Sequence, residues 1–184
     1  MHGLLLLAAA FSLTAAAPPE PKPFTLTSTS FVDGQAMPTR YAGNLLANPN
    51  CVGTNQTPAL GWRNLPAGTK SLVFFMIDPE GRGGLGVTHW VAYNVPVEWS
   101  GFAANEIALP PKGYSGGKST QGLDHYIGPC TPPNTSYHHY TFLAIATDLA
   151  PGALAAGLTR EELTPLLQGH AKGSTGLVMR FRHP

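Results

Sequence analysis

Leu72-Val73-Phe74-Phe75-Met76-Ile77-Asp78-Pro79-Glu80 is an unbroken apolar run of strand length that ends in an acid, a proline and a second acid. Six apolar residues in succession predict a strand buried on both faces or held between two sheets. Proline cannot donate to a ladder, so the strand stops at Asp78 and leaves a carboxylate at a buried end. An unpaired carboxylate there is costly; a bound ammonium, a histidine or backbone amides would offset that cost.

Outward from this run, His89 to Val95 and Tyr137 to Thr147 read as strands enriched in Thr, Tyr, Val, Ile and Phe. Leu177-Val178-Met179-Arg180-Phe181 makes a last strand, and the alternation Phe24, Leu26, Ser28, Ser30 begins a first one. Gly81 to Gly86 and Gly113 to Gly122 are Gly-rich loops between them. One good helix begins at Thr159, where Thr159 and Glu162 make a capping box and Leu163, Leu166 and Leu167 share a face. Pro165 predicts that this helix is bent or restarts with Thr164 as its cap. Glycine (21) and proline (18) are plentiful and punctuate short apolar stretches. The expected fold is mainly β: an antiparallel β-sandwich with one or two short helices in the C-terminal region.

At 184 residues the chain has room for one domain and can bury a core unaided. Lys and Arg total 11 against 10 Asp and Glu, so no strong field recruits nucleic acid or an acidic membrane surface. Leu4 to Leu13 is too short to span a bilayer, and Ala15-Ala16-Ala17 suits signal cleavage. Residues 1–17 are therefore read as a secretory signal, with a retained hydrophobic anchor as the alternative. Residues 18–23 are a Pro-rich leader and 24–184 the domain, with no transmembrane segment in the mature chain. The expected compartment is periplasmic or secreted. Only Cys51 and Cys130 occur; an exported chain permits one disulfide between them, and the alternative is two separate thiols.

Thr88-His89-Trp90, Tyr126-Ile127-Gly128-Pro129-Cys130 and His138-His139-Tyr140 carry, with Asp78-Pro79-Glu80, most of the chain's concentrated polar chemistry. With Phe24-Thr25-Leu26-Thr27-Ser28, Cys51-Val52-Gly53-Thr54-Asn55-Gln56-Thr57-Pro58, Pro66-Ala67-Gly68-Thr69-Lys70 and Val91-Ala92-Tyr93-Asn94-Val95-Pro96, they occur in the order of one family. The chain resembles the phosphatidylethanolamine-binding proteins, also called Raf-kinase-inhibitor-like proteins, in their bacterial form, from Phe24 to about Arg182.

That resemblance implies a ligand site of Asp78, His89, Gly128 and His138, with Tyr126 and Tyr140 as walls and Pro129 in the same segment. Glu80 stands where the family most often has a second Asp, and the Gly81–Val87 loop departs from the usual Ala-Pro continuation. Independently, strand alternation puts His138 and Tyr140 on one face and His139 on the other, where it becomes a surface or edge side chain. His89 and His138, with pKa values ordinarily near neutrality, can each donate to a phosphate oxygen. A backbone amide near Gly128 can approach the same anion because no side chain intervenes.

The expected function is binding of a small anionic or phosphorylated ligand, such as a phospholipid head group, without catalysis and without a cofactor. The family also implies protein partners, none identified by these residues. Two rivals stand beside it: a hydrolase or metal-assisted phosphoesterase using Asp78, His89 and His138, and a protease-inhibitor-type interaction module. Gly113-Tyr114-Ser115-Gly116-Gly117 matches G-x-S-x-G but lacks the preceding strand and following helix that a nucleophile elbow requires. No H-x-x-x-H or H-E-x-x-H spacing recommends zinc.

Overall fold

Alternation along the central apolar run decides the layering in the computed structural model, which describes residues 20–184. The segment read as a secretory signal, residues 1–17, and the first two residues of the Pro-rich stretch lie outside the described residues. Strand β4 (Ser71–Asp78) sends Leu72, Phe74 and Met76 to one side and Val73 and Phe75 to the other, and all five are buried. Both sides of this strand are covered, by different partners.

The first side faces a small antiparallel sheet of β1 (Thr25–Thr27), β3 (Leu60–Arg63) and β6 (Gly101–Phe102), in the order β1-β3-β6. Phe74 packs on Trp62 and Phe102 of that sheet, with ring centroids 5.0 and 5.5 Å apart. Tilted and edge-on aromatic contacts of this kind form the centre of the sandwich. The second side is capped by α2 (Arg160–Leu166), whose Leu163, with Leu167 just beyond it, packs with Val73, Phe75, Val91 and Tyr93.

The large sheet has the order β2-β9-β8-β4-β5-β7, with β2 (Gln35–Ala36), β5 (Val87–Pro96), β7 (Ser115–Gly116), β8 (His138–Thr147) and β9 (Ala171–Phe181). All its pairings are antiparallel except β2 on β9, which is parallel. A 3-10 turn at Thr39–Tyr41 and the single helical turn α1 (Gly81–Gly84) complete the regular structure described.

This is the expected mainly β sandwich, with local corrections. The Gly81–Gly86 stretch is not all loop: it carries α1, whose Arg82 and Gly83 lie at positive φ (53° and 70°). The Gly113–Gly122 stretch contributes the edge strand β7. Helix α2 neither restarts nor needs Thr164 as a cap. Thr159 and Glu162 close the capping box, and the Thr164 hydroxyl donates to the Arg160 carbonyl at 2.7 Å. Pro165 is tolerated because the helix ends one residue later and the Leu167 amide still reaches the Leu163 carbonyl at 3.0 Å.

Cys51 and Cys130 are bonded, closing a loop with a sequence separation of 79. In the chain-entropy account, closure over that length stabilises the fold by about 4 kcal/mol. Replacing both cysteines with alanine is expected to lower the free energy of unfolding by that order in urea titrations followed by circular dichroism; an unchanged midpoint would show that the bond adds nothing to stability.

Candidate functional site

Asp78 lies on the same side of β4 as Leu72, Phe74 and Met76, at the open end of the sandwich core, and is 3% exposed. Its Oδ1 accepts the main-chain N–H groups of Glu80 and Gly81, each at 3.0 Å. Its Oδ2 accepts from Nδ1 of His138 at 2.8 Å. A histidine and two backbone amides thus offset the cost of burying this carboxylate. Position 81 has to be glycine for the turn to wrap so closely. A Cβ there would stand 2.6 Å from Val87 Cγ2 and 3.1 Å from Asp78 Oδ2.

His89 arrives by a different route. Strict alternation would group it with Val91 and Tyr93, on the face that α2 covers. The β4–β5 register instead passes from Met76 opposite Trp90 to Ile77 opposite Thr88, skipping His89. This β-bulge turns His89 to the sandwich side. There its ring meets Tyr140 at 5.2 Å, nearly edge-on at 73°. Nδ1 of His89 donates to the Ile127 carbonyl at 2.9 Å, which leaves Nε2 as the free nitrogen. Burial holds the His89 pKa below its ordinary value, although the Ile127 carbonyl and the Asp78 charge pull the other way.

His138 and Tyr140 sit on one face of β8, their rings stacked 6.3 Å apart. The Tyr140 hydroxyl shares a 2.8 Å hydrogen bond with Thr131 Oγ1. Burial pushes the Tyr140 pKa up strongly, so the phenol stays neutral. On the opposite face, exposed His139 binds Glu80 twice: ring Nδ1 to Oε1 at 2.8 Å and main-chain N to Oε2 at 3.1 Å. Partial burial raises the Glu80 carboxyl, but the hydrogen bonds from His139 outweigh it and leave the pKa below the ordinary value.

Asp78, Glu80, His89, His138 and Tyr140 border one cavity of about 410 Å³. Tyr126, Gly128 and Pro129 do not border it. Tyr126 is fully buried, stacked on Phe142 with its hydroxyl 3.4 Å from the Tyr41 carbonyl. The Gly128 amide, expected to reach a ligand, is already committed to Asn55 Oδ1 at 2.7 Å, and the Pro129 carbonyl accepts from the Gly43 amide at 2.8 Å. Glycine is required at 128 because the main chain of Tyr41 and Ala42 lies directly against it.

Asn48, Arg82, Gln121 and Thr131 also border the cavity and were not singled out from the sequence. Arg82 had a usable signal: a lone cation among glycines two residues after Glu80. The disulfide forms part of the same wall through Cys130. Ser115 of the G-x-S-x-G stretch lies instead on edge strand β7, where its hydroxyl accepts from the Asn94 amide at 2.9 Å. Among the described residues no three His, Cys, Asp or Glu side chains cluster as a metal site would need.

The family model "Phosphatidylethanolamine-binding protein" matches residues 27–182 of the chain. A "UPF0098 protein" of Aquifex aeolicus is 32% identical over 156 residues, covering 84% of this chain and 86% of that one. The "Putative lipoprotein LppC" of Mycobacterium tuberculosis is 34% identical, covering 89% of this chain and 74% of its own length. Among solved structures, Escherichia coli YbcL, described as a member of the mammalian PEBP family, superposes with a TM-score of 0.76 at 22% identity, covering 86% of this chain and 98% of that chain.

The depressed pKa of His89 sets a pH dependence. Because the folded value lies below the unfolded one, near 6.5, the unfolded chain binds the extra proton first, and stability falls as pH drops from about 6.5 through the folded pKa. His89→Asn, whose side-chain amide can keep the bond to the Ile127 carbonyl, is expected to flatten the loss of thermal stability between pH 7 and 5. Equal slopes for variant and parent in calorimetric scans would assign that loss to other groups.

Proposed function

The chain belongs to the phosphatidylethanolamine-binding protein family, and from that premise we propose that it is a non-catalytic binding protein for a small phosphate-bearing ligand, phosphoethanolamine or a phospholipid head group being the type. The observation that carries this reading is the state of the two histidines. Each has Nδ1 committed, His89 to the Ile127 carbonyl and His138 to the Asp78 carboxylate, and each borders the cavity with only Nε2 left to serve a ligand. On protonation both become Nε2–H donors to an anionic oxygen, and the guanidinium of Arg82 adds charge at the rim.

Asp78 has little capacity left for an ammonium group, since both its oxygens are engaged. Glu80 also has both oxygens bonded, to His139, but it is the acid nearer solvent, where a further partner can reach it, and is the better partner for an amine on the ligand. Binding an anion to the neutral, buried His89 requires proton uptake, so affinity strengthens as pH falls toward the ordinary histidine range.

One observation favours the rival enzyme reading: an Asp–His pair at 2.8 Å is also how a general base is oriented. The hydroxyls around it are poorly suited to attack. Thr131 and Tyr140 bond to each other, and Thr135 donates to the Pro132 carbonyl at 2.8 Å. We therefore favour binding over turnover. A location outside the cytoplasm is part of the proposal. It draws on the Cys51–Cys130 bond, the apolar leader over residues 4–17 and the lipoprotein name of the mycobacterial relative. A protein partner is left to experiment.

His89→Asn and His138→Asn each keep a donor for the existing acceptor and remove the free Nε2. Each is expected to weaken O-phosphoethanolamine binding by roughly tenfold or more, the worth of one charge-assisted hydrogen bond. His139→Ala, on the opposite face, should change affinity less than about threefold. Calorimetric titration at pH 6.5, with a parallel assay for released inorganic phosphate, checks both claims. Undiminished binding in the two asparagine variants would remove the site from this cavity, and steady phosphate release would replace the binder with an enzyme.

A further inference from the structure

A second cavity, of about 350 Å³, lies beside the first and shares with it the residues Arg82 and Val87. It opens on the other side of β4: Ile77 borders this cavity and Asp78 the first, as alternation of successive side chains requires. Its lining includes three cations, Arg82, Lys118 and Arg160, against one acid, Glu161. None of the three cations has a carboxylate within ion-pair distance among the described residues.

The wall that carries Lys118, Ser119 and Thr120 is firmly anchored. The segment 117–120 is stitched to β5 by the Gly117 and Thr120 amides, which donate to the Val91 and Thr88 carbonyls at 2.9 Å each. On its other side the Lys118 amide donates to the Leu158 carbonyl at 3.1 Å, and Lys118 bridges Thr159, the residue before Arg160. Arg160 lies with its guanidinium 6.0 Å from the centre of the Phe75 ring, which limits where its charge can go.

Two hydroxyls complete the lining. Ser119, 5% exposed, accepts the Leu123 amide at 3.2 Å, and Thr120 accepts the Thr88 amide at 2.9 Å. Neither hydroxyl hydrogen has an acceptor among the described residues, so each is a donor awaiting one. Three cations against the one acid of the lining, gathered round the buried Ser119 hydroxyl and the exposed Thr120 hydroxyl, form a locus that an anion would neutralise.

We propose that this second cavity is a binding site for a small phosphorylated anion, held by Arg82, Lys118 and Arg160 with Ser119 and Thr120 as hydroxyl donors. No aromatic side chain borders it, so it selects the phosphate and not a base or an acyl chain. Because Arg82 borders both cavities, a ligand in the second competes for a cation that the first also uses. The two sites are therefore coupled negatively when both are filled.

The site itself does not depend on the ligand proposed for the first cavity, and the test separates them. Inorganic phosphate is titrated into the full chain by calorimetry and by amide chemical shifts. The double variant His89→Asn/His138→Asn is expected to retain one phosphate with shifts at Ser119 and Thr120, which border only the second cavity. Lys118→Ala/Arg160→Ala is expected to lose that event, at least tenfold in affinity, while O-phosphoethanolamine binding in the first cavity persists. The single variant Lys118→Ala guards against a folding defect and should weaken phosphate binding alone. Loss of all phosphate binding in the histidine double variant, or unchanged shifts at Ser119 and Thr120 in every protein, would overturn the proposal. Failure of O-phosphoethanolamine binding in the parent chain, with the inorganic phosphate shifts at Ser119 and Thr120 retained, would overturn only the function assigned to the first cavity.

Discussion

One buried carboxylate organises this end of the molecule. Asp78 terminates the central strand with the sandwich core below it and carries hydrogen bonds from the Glu80 amide, the Gly81 amide and His138. Without these donors the carboxylate would stand uncompensated in a low-dielectric setting, where desolvation costs several kcal/mol. The three bonds also join three pieces of chain: the end of β4, the α1 turn and the start of β8. The positive φ values of Arg82, Gly83, Gly84 and Gly86 show how sharply the chain must turn to close over the carboxylate before it re-enters the sheet as β5.

The return strand then needs an irregularity to be useful. Without the bulge, His89 would join Val91 and Tyr93 beneath α2, and the cavity would hold one imidazole instead of two. A second register shift, between Leu72 and Phe74, accompanies Asn94 at φ 54° and brings Val95 back to the sandwich side. Two bulges in one strand give it twist and let it serve two cores in turn. The apolar content of β5 is enough to make it a strand; these two irregularities decide which of its side chains face the cavity.

Much of this was legible from composition and pattern, and the limits have physical causes. The strands β4, β5 and β8, eight to ten residues each, are rich in apolar, aromatic and β-branched residues because both faces of the sheet are largely covered there. The first half of β9, Ala171 to Gly176, escaped notice because it is largely solvent-exposed and held by its ladder to β8, not by apolar side chains. Strands β2, β6 and β7 are two residues each and exist only as partners of something else. The split of His138 from His139 followed from alternation alone. The bulge at His89 and the capture of the Gly128 amide by Asn55 did not, since both depend on segments distant in sequence.

The cavity has a floor of strand residues and walls of loop, and the loop walls are where rigidity has to be supplied. Thr131 holds the Tyr140 hydroxyl, and the preceding residue, Cys130, is covalently joined to Cys51, three residues after Asn48 on the opposite rim. Asn55 reaches from the same Cys51 segment to the Gly128 amide and, through its own Nδ2, to the Tyr126 carbonyl at 3.2 Å. Tyr126, Gly128 and Pro129 thus fix the 126–131 segment against the 41–55 segment, and that segment presents the Ile127 carbonyl to His89. Residues that do not border the cavity set the tautomer of one that does. A substitution at Asn55 would therefore act on His89 through two links of main chain, which is why a motif can extend well beyond the atoms that meet the ligand.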